Sequence, residues 1–509
     1  MKALPDHRTP SAAGLRALRE QTLHRLRTAM TETNGGGAQR CAERLLAVLP
    51  KRKLQDNAVL VAYGGGKDSS YSLAFCRAVQ LMVYAEKGET FRLRTVTNRH
   101  AGMPKAVMEN IDRAYRALRI PEDPGCEALL VDGDEVKPFR ADEALAPQVV
   151  ARNRVDLLMT GHRTFAEPRP TFCNACNLSM VNSFGAAAAH DGGVDVIITG
   201  DSPAEQRSYY LWVNRLARSY GQHLDKSAES GFRRFLEKAD DLAQAYFTDI
   251  FGPDAETEVG DRRVTHDVPH ELRFFSIYDD TRYSASGHWH LLNDHLGFVF
   301  DDLAFSFTES DCGTPTVMAH LRGLKCERLY RRSYREGLEE YVEFALELMR
   351  RKEFPERLID TMRERYADDR DGERMRAKAN AFALDAFGLT EAQLICMIYS
   401  PFPGRGERLD GYLEAEQPDL FPRAAEIHAL LAAPDTEDGG GLAARLESCS
   451  GLALDRLRVL YRSPPAGQAG PADGKDLMGA ILAGDPHKAV IPTRHTPDGP
   501  VVHELISGR

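Results

Sequence analysis

The sequence predicts an α/β protein: a doubly wound, mostly parallel sheet with helical additions at both ends. Three observations predict it. Short strand-like runs recur at 59–62, 90–98, 126–133 and 195–202. Segments with helical spacing follow the first two, from about 67 and over 104–120. The runs at 59–62 and 195–202 stop at polar turns, "GGGKDSS" and "TGDS". Strand–helix alternation gives a parallel sheet covered on both faces, and such sheets hold ligands at the carboxyl ends of their strands.

In chain order, the first fifty residues read as helical, with Leu15, Leu18, Leu23 and Leu26 at helical spacing. "TNGGGAQ" (33–39) is expected to break this segment, with a second helix over 40–49 ending at Pro50. The run Val59-Leu60-Val61-Ala62 is the first strand, and a helix is expected to begin near Lys67. After about 245 the pattern loosens. His288 and His290 would share one face of a strand near His295, but nothing nearby completes a ligand set, which favours a polar surface or a substrate pocket. From 329 to about 465 the chain reads as mainly helical, with a Thr-x-x-Gln capping box at Thr390 and Gln393. Segments 434–441 and 463–474 are loops by composition, and the last stretch reads as two short strands around "TPDGP". The expected division is a helical segment over 1–50, a nucleotide-binding domain over 51–330, and a mainly helical region over 331–509 ending in a hairpin.

A chain of 509 residues, 43% hydrophobic and 28% charged, has the composition of a globular protein with real cores. A formal charge of −10 argues against a general nucleic-acid coat. The run at 322–337 offers a local basic surface, read first as a mixed-charge helix face and second as an RNA contact. No stretch has the apolar length of a membrane span, and the N-terminus carries no apolar signal core, so a cytoplasmic protein with no membrane partner is expected. Nine cysteines, an odd number spread along the chain, do not form a disulfide framework.

"VLVAYGGGKDSSYSL" (59–73) carries the first chemistry. A strand, a glycine turn and a helix start make a place for an anion, because the first backbone N–H groups of a helix are unpaired and the helix dipole favours negative charge there. Glycines at 64, 65 and 66 let the backbone approach a phosphate closely. Lys67 adds a positive charge, Ser69 and Ser70 add hydroxyls, and Asp68 makes sense beside a polyphosphate if it helps to hold Mg²⁺. The order is not that of a Walker loop, since Asp68 follows the lysine. It resembles the pyrophosphate loop, Ser-Gly-Gly-x-Asp-Ser, of the N-type PP-loop ATP pyrophosphatase superfamily, to which GMP synthetase, argininosuccinate synthetase and the tRNA-thiolating enzymes belong. Gly65, Gly66, Lys67, Asp68 and Ser69 match in order; Gly64 stands where the family usually has serine. The resemblance implies an adenine nucleotide alpha hydrolase-like fold, with ATP and Mg²⁺ bound by Gly64, Gly65, Gly66, Lys67, Asp68, Ser69 and Ser70.

The second signal is "TFCNACNLSMVNSFGAAAAHDGGVDVIITGDS" (171–202), with a Cys-x-x-Cys pair at Cys173 and Cys176 ahead of an expected helix. Such a pair is half a metal site, a redox couple or coincidence. Its place before "TGDS" resembles the tRNA 2-thiolation branch, in which a third cysteine arrives later. Cys312 in "ESDCGTP" is the candidate, with Cys326 as the fallback. The resemblance implies a [4Fe–4S] cluster with one open iron, or alternatively a zinc site. It also puts Gly200, Asp201 and Ser202 against the nucleotide or activated substrate, with Asp201 where thiolating enzymes usually have histidine. Beyond 308 the chain also resembles the N-acetyl sugar amidotransferase branch, through the cysteine turn and the Tyr-x-x-Gly-x-x-Glu-Tyr pattern at Tyr334, Gly337, Glu340 and Tyr341.

The shared chemistry implied is adenylation of a substrate oxygen, release of pyrophosphate, and displacement of AMP by a second nucleophile. The expected catalytic residues are Lys67, Asp68 and Asp201. Two function classes follow: a sulfurtransferase using the cysteine centre, or an amidotransferase or amide ligase with structural zinc. The acceptor is a small molecule, a peptide or RNA. A sulfur or ammonia donor protein is an expected partner, and a homodimer is the oligomer considered.

Overall fold

A computed structural model describes residues 11–133, 135–198, 232–252, 255–263, 272–282, 288–299, 312–351, 356–367, 372–433, 441–468, 476–485 and 488–508. Its centre is a six-stranded sheet. Strand β1 (Ala58–Ala62) lies between β2 (Arg92–Arg99) and β5 (Val196–Ile198), parallel to both. Strand β3 (Cys126–Asp132) adds in parallel to β2, and β4 (Glu135–Pro138) closes that side as an antiparallel edge. Strand β6 (Arg273–Phe274) adds in parallel to β5, giving the order β4-β3-β2-β1-β5-β6. The chain thus winds outward from β1 through β2 and β3, then returns to the other side of β1. That reversal between β1 and β5 is where open α/β sheets form their ligand crevice.

Both faces of β1 are buried, which is why it reads as an unbroken aliphatic run. Val59 and Val61 face a cluster built from helices α1 (Ala12–Ala29), α2 (Glu32–Val48), α3 (Lys67–Lys87) and α4 (Lys105–Ala117). Ala58 and Leu60 face Ala187 and Ala188 of helix α6 (Pro168–Ala189) on the other side. A third cluster joins helix α5 (Pro147–Arg163), α6, α7 (Phe232–Phe251), α9 (Thr314–Arg328), α10 (Tyr334–Arg351), the following helices and the C-terminal hairpin; α8 is the short helix Glu256–Gly260. Among the described residues no single helix is long and apolar enough to cross a membrane.

Two sequence expectations are corrected. The glycines at 35–37 do not break the N-terminal helices where expected. Helix α2 starts at Glu32, capped by the Thr31 hydroxyl, and runs through them. Tertiary contact overrides their weak propensity: Gly37 lies directly against the Asp280 carbonyl, and Arg44 bonds Asp280 and the Ser276 carbonyl. The histidines are not on a strand. His290–His295 is a single π-helical turn, while His288 is buried and stacked on Tyr71 with ring centroids 3.9 Å apart. The capping box at Thr390 and Gln393 forms in both directions, as its spacing predicts.

Strands β7 (Lys488–Thr493) and β8 (Val502–Ser507) pair as the expected antiparallel hairpin and close over α9 and α10 through a buried ionic network. Arg322 bonds Glu340 at 2.6 Å, Glu504 at 2.8 Å and the Thr493 hydroxyl at 3.0 Å, and Lys325 bonds Glu504 at 2.8 Å. Burial alone raises the Glu504 carboxyl, but Lys325 and Arg322 outweigh it and hold it at about 2. A carboxyl depressed in the folded state stabilises the fold above its unfolded value, and that contribution is lost as pH falls toward the folded one. Glu504→Gln is therefore expected to cost on the order of 3 kcal/mol at neutral pH, the scale of breaking a buried pair from one side. The deficit should close between about pH 4.5 and 2. Urea midpoints of both proteins across that range test this; a constant gap would disprove it.

Candidate nucleotide site

The loop after β1 is built from beneath. Tyr63 N–H donates to the Val96 carbonyl at 2.8 Å, carrying the β1–β2 ladder one residue past the strand. Burial pushes the Tyr63 phenol well up, so it stays protonated, and its hydroxyl meets the Ser70 hydroxyl at 3.1 Å. Ser70 therefore faces inward, fully buried, and braces the loop from below. Gly65 adopts φ +81°, and a Cβ there would fall 2.7 Å from Ile111 Cγ1 and 2.8 Å from Val107 Cγ1. Gly66 is extended and offers no side chain to cap α3. The Ser69 hydroxyl donates to the Gly66 carbonyl at 3.1 Å. Lys67 Nζ lies 2.6 Å from Asp68 Oδ1, with the lysine side chain 4% exposed and the aspartate 16%. A cation, a carboxylate and the start of a 21-residue helix thus converge at the switch point of the sheet.

Across the crevice, Val61 pairs with Ile198, so the chain leaves β5 beside the loop. Gly200, Asp201 and Ser202 follow it and lie outside the described residues, as does the side chain of Cys176.

The Cys-x-x-Cys pair does not precede a helix. It sits within α6, with Cys173 and Cys176 one turn apart. Ser183 of α6 donates to the Gly133 carbonyl at the end of β3 and so marks the carboxyl edge of the sheet. At the helical rise, the Cys176 and Cys173 backbones stand ~10 and ~15 Å further out along the helix. Cys173 is buried in the same apolar cluster as Phe172, Val317 and Phe387. Cys312 is also buried, its Sγ 2.9 Å from the Thr314 hydroxyl. Gly313 N–H donates to the Gly102 carbonyl, which fixes this turn on the loop after β2. Cys326 lies twelve residues into α9, ~18 Å along the axis from its start. There it packs against α10 with Sγ 3.8 Å from Glu340 Oε2, and burial pushes its thiol up to about 12. Cys326 therefore cannot join Cys312 in one centre. Among the described residues, no group of three or more His, Cys, Asp or Glu side chains is arranged to hold a metal.

The Tyr-x-x-Gly-x-x-Glu-Tyr pattern resolves into helix packing. Tyr334 bonds His320 Nδ1 at 2.8 Å, Gly337 lies against the Arg322 carbonyl where α9 and α10 cross, Glu340 receives Arg322, and Tyr341 contacts Met318 Sδ at 3.3 Å. In the basic run, Arg322, Lys325, Arg328, Arg332 and Arg335 each face a carboxylate, which makes it a mixed-charge helix face. Sequence reasoning missed Tyr63, which follows the first strand directly, and Arg99, which ends the second; neither belongs to a motif. No protein-family model matches the chain, and no curated protein matches it.

Proposed function

We propose that the chain adenylates a substrate oxygen with ATP, releasing pyrophosphate, and then transfers sulfur to the activated carbon. One observation carries the first half: the Gly-Gly-Gly-Lys-Asp-Ser sequence lies between β1 and α3 at the topological switch point of a doubly wound sheet. In this reading ATP binds by its β,γ-phosphates to the α3 N-terminus and Lys67, and Asp68 passes from Lys67 to Mg²⁺. The substrate oxygen attacks the α-phosphorus, the bond to the β,γ-diphosphate breaks, and pyrophosphate takes the electron pair. Fixed donors aimed at that departing charge are the main catalytic device. The nucleophile then adds at the activated carbon and AMP leaves.

Sulfur as the second nucleophile is supported by placement. The α6 segment carrying Cys173 and Cys176 projects past the carboxyl edge of the sheet, and Cys312 lies in the turn before α9 that Gly313 ties to the loop after β2 at the same edge. A cluster, if bound there by the three thiolates, would supply a labile sulfide. Cys173, Cys176 and Cys312 would hold it; zinc on the same thiolates would be structural. The acceptor is a small molecule, a peptide or RNA.

The test is product analysis. Protein purified without oxygen and given Mg²⁺, ATP and an acceptor extract should form AMP and pyrophosphate in equal amounts. ADP with phosphate as the main products would defeat the assignment. Turnover driven by sulfide and not ammonium supports the sulfur step; the reverse, with stoichiometric zinc, decides for an amidotransferase.

A further inference from the structure

Arg99 ends β2, three residues beyond Val96, whose register partner Ala62 ends β1. At the strand rise this carries it ~10 Å past the end of β1, level with the loop rather than with the sheet. Leu93 and Thr95 face the α3–α4 layer: Leu93 belongs to its apolar cluster and the Thr95 hydroxyl bonds Tyr115 of α4. Strand alternation puts Arg99 on that same face, the one from which α3 presents Lys67.

The guanidinium is held in an unusual state. The residue is half-buried, yet Nε and Nη1 are both shielded from solvent and have no hydrogen-bond partner among the described residues. Burial lowers the basicity of the group, and Asp132 opposes this only from a distance. Asp132, its register partner at the end of β3, makes no hydrogen bond to it: Oδ2 takes Lys137 at 3.3 Å and the Ala146 N–H at 3.1 Å, and Oδ1 is buried without a partner among the described residues. A half-buried cation with two shielded, empty donors costs stability, and buried polar groups are otherwise nearly always paired. Water would fill the donors but not balance the charge. A planar anion does both, and the guanidinium fork matches carboxylate and phosphate oxygens.

We infer that Arg99 is a recognition residue for an anionic group, carboxylate or phosphate, on the acceptor bound at the carboxyl edge beside the loop. This rests on the adenylation reading for the word acceptor, but the anion site itself does not. Its position on β2, away from the β1–β5 crevice, separates it from the pyrophosphate that Lys67 and α3 would hold.

Calorimetric titration with glutarate and with inorganic phosphate tests it, on the free protein and on protein presaturated with Mg²⁺ and pyrophosphate to fill the loop. Wild type is expected to bind at least one anion in both states, and Arg99→Gln to weaken that binding about tenfold or more, the scale of losing a hydrogen bond to a charged group. Preference for glutarate assigns a carboxylate acceptor; preference for phosphate assigns a phosphorylated one. Arg99→Met should melt at a higher temperature than wild type in the absence of ligand, because it removes a half-buried cation with two shielded donors that lack a hydrogen bond. A structural arginine would give the opposite sign. Equal anion affinity in wild type and Arg99→Gln overturns the inference. So does loss of pyrophosphate binding with anion binding intact, which would assign Arg99 to the loop, and so does a lowered melting temperature in Arg99→Met. Failure of pyrophosphate to bind wild type, with Arg99-dependent anion binding retained, would defeat the function reading and leave the anion site standing.

Discussion

Lys67→Ala is expected to lower AMP formation by at least about a hundredfold, the scale of losing one charge-stabilising group in a transition state. Asp68→Asn is expected to do the same through the metal. The two side chains are neighbours at 2.6 Å, and each is the other's counter-charge at the loop. That pairing makes a specific statement about the double variant. Groups that act as a unit are not additive. Lys67→Ala with Asp68→Asn should therefore lose far less than the product of the two single effects. The fold should survive in all three. Removing Lys67 leaves Asp68 in the first turn of α3, where the helix dipole favours a carboxylate. Removing the Asp68 charge leaves Lys67 with an amide in place of its carboxylate. Asp68→Asn should melt lower than wild type, since it leaves the buried Lys67 charge without its carboxylate, yet each variant should remain folded at assay temperature while AMP release collapses. Near wild-type AMP formation in either single variant would take the loop out of the chemistry. A collapse of the melting temperature would show the pair to be structural.

How far the sequence could be read follows the physics of each signal. The four sheet strands that sequence reasoning marked are central or next to central; β1, β3 and β5 are spelled by aliphatic runs, and β2 by leucine, valine and buried threonines between arginines. The two it missed are edge strands: β4 is four residues of Glu-Val-Lys-Pro and β6 is two residues long. Edge strands carry too few apolar side chains to stand out. The α2 error has the same root in reverse, since the glycines that look like a break are accommodated by Asp280, 243 residues beyond Gly37. At the site, Lys67, Asp68 and Ser69 were legible because their order carries a mechanism. The inward turn of Ser70 depends on Tyr63, and the unpaired donors of Arg99 among the described residues depend on where Asp132 makes its hydrogen bonds. Neither is encoded in local spacing. Cysteine spacing showed a pair but could not reveal that both residues ride on one helix.

Gly65→Val should unfold the loop from its support, and it is the substitution with the largest expected effect on stability. Two separate costs act on the same atom. At φ +81° an L-residue with a Cβ is strained by ~1–2 kcal/mol, and a β-branched side chain by more. The Cβ would also sit 2.7–2.9 Å from Ile111 and Val107, closer than side chains pack. Both lie on α4 and are fully buried, so they cannot swing away into solvent. Forcing that volume into a filled core adds about 1–3 kcal/mol. Gly65→Ala is expected to lose about 2–5 kcal/mol on these combined terms, and Gly65→Val more. Relief can be engineered: Ile111→Ala removes two of the three closest atoms and should recover part of the Gly65→Ala loss, although it is destabilising alone. Such compensation is a coupling between two sites that share one space. Urea unfolding of the four proteins in the Gly65→Ala and Ile111→Ala cycle measures it. Simple additivity would show that α4 does not hold the loop, and that the glycine serves only the ligand's approach.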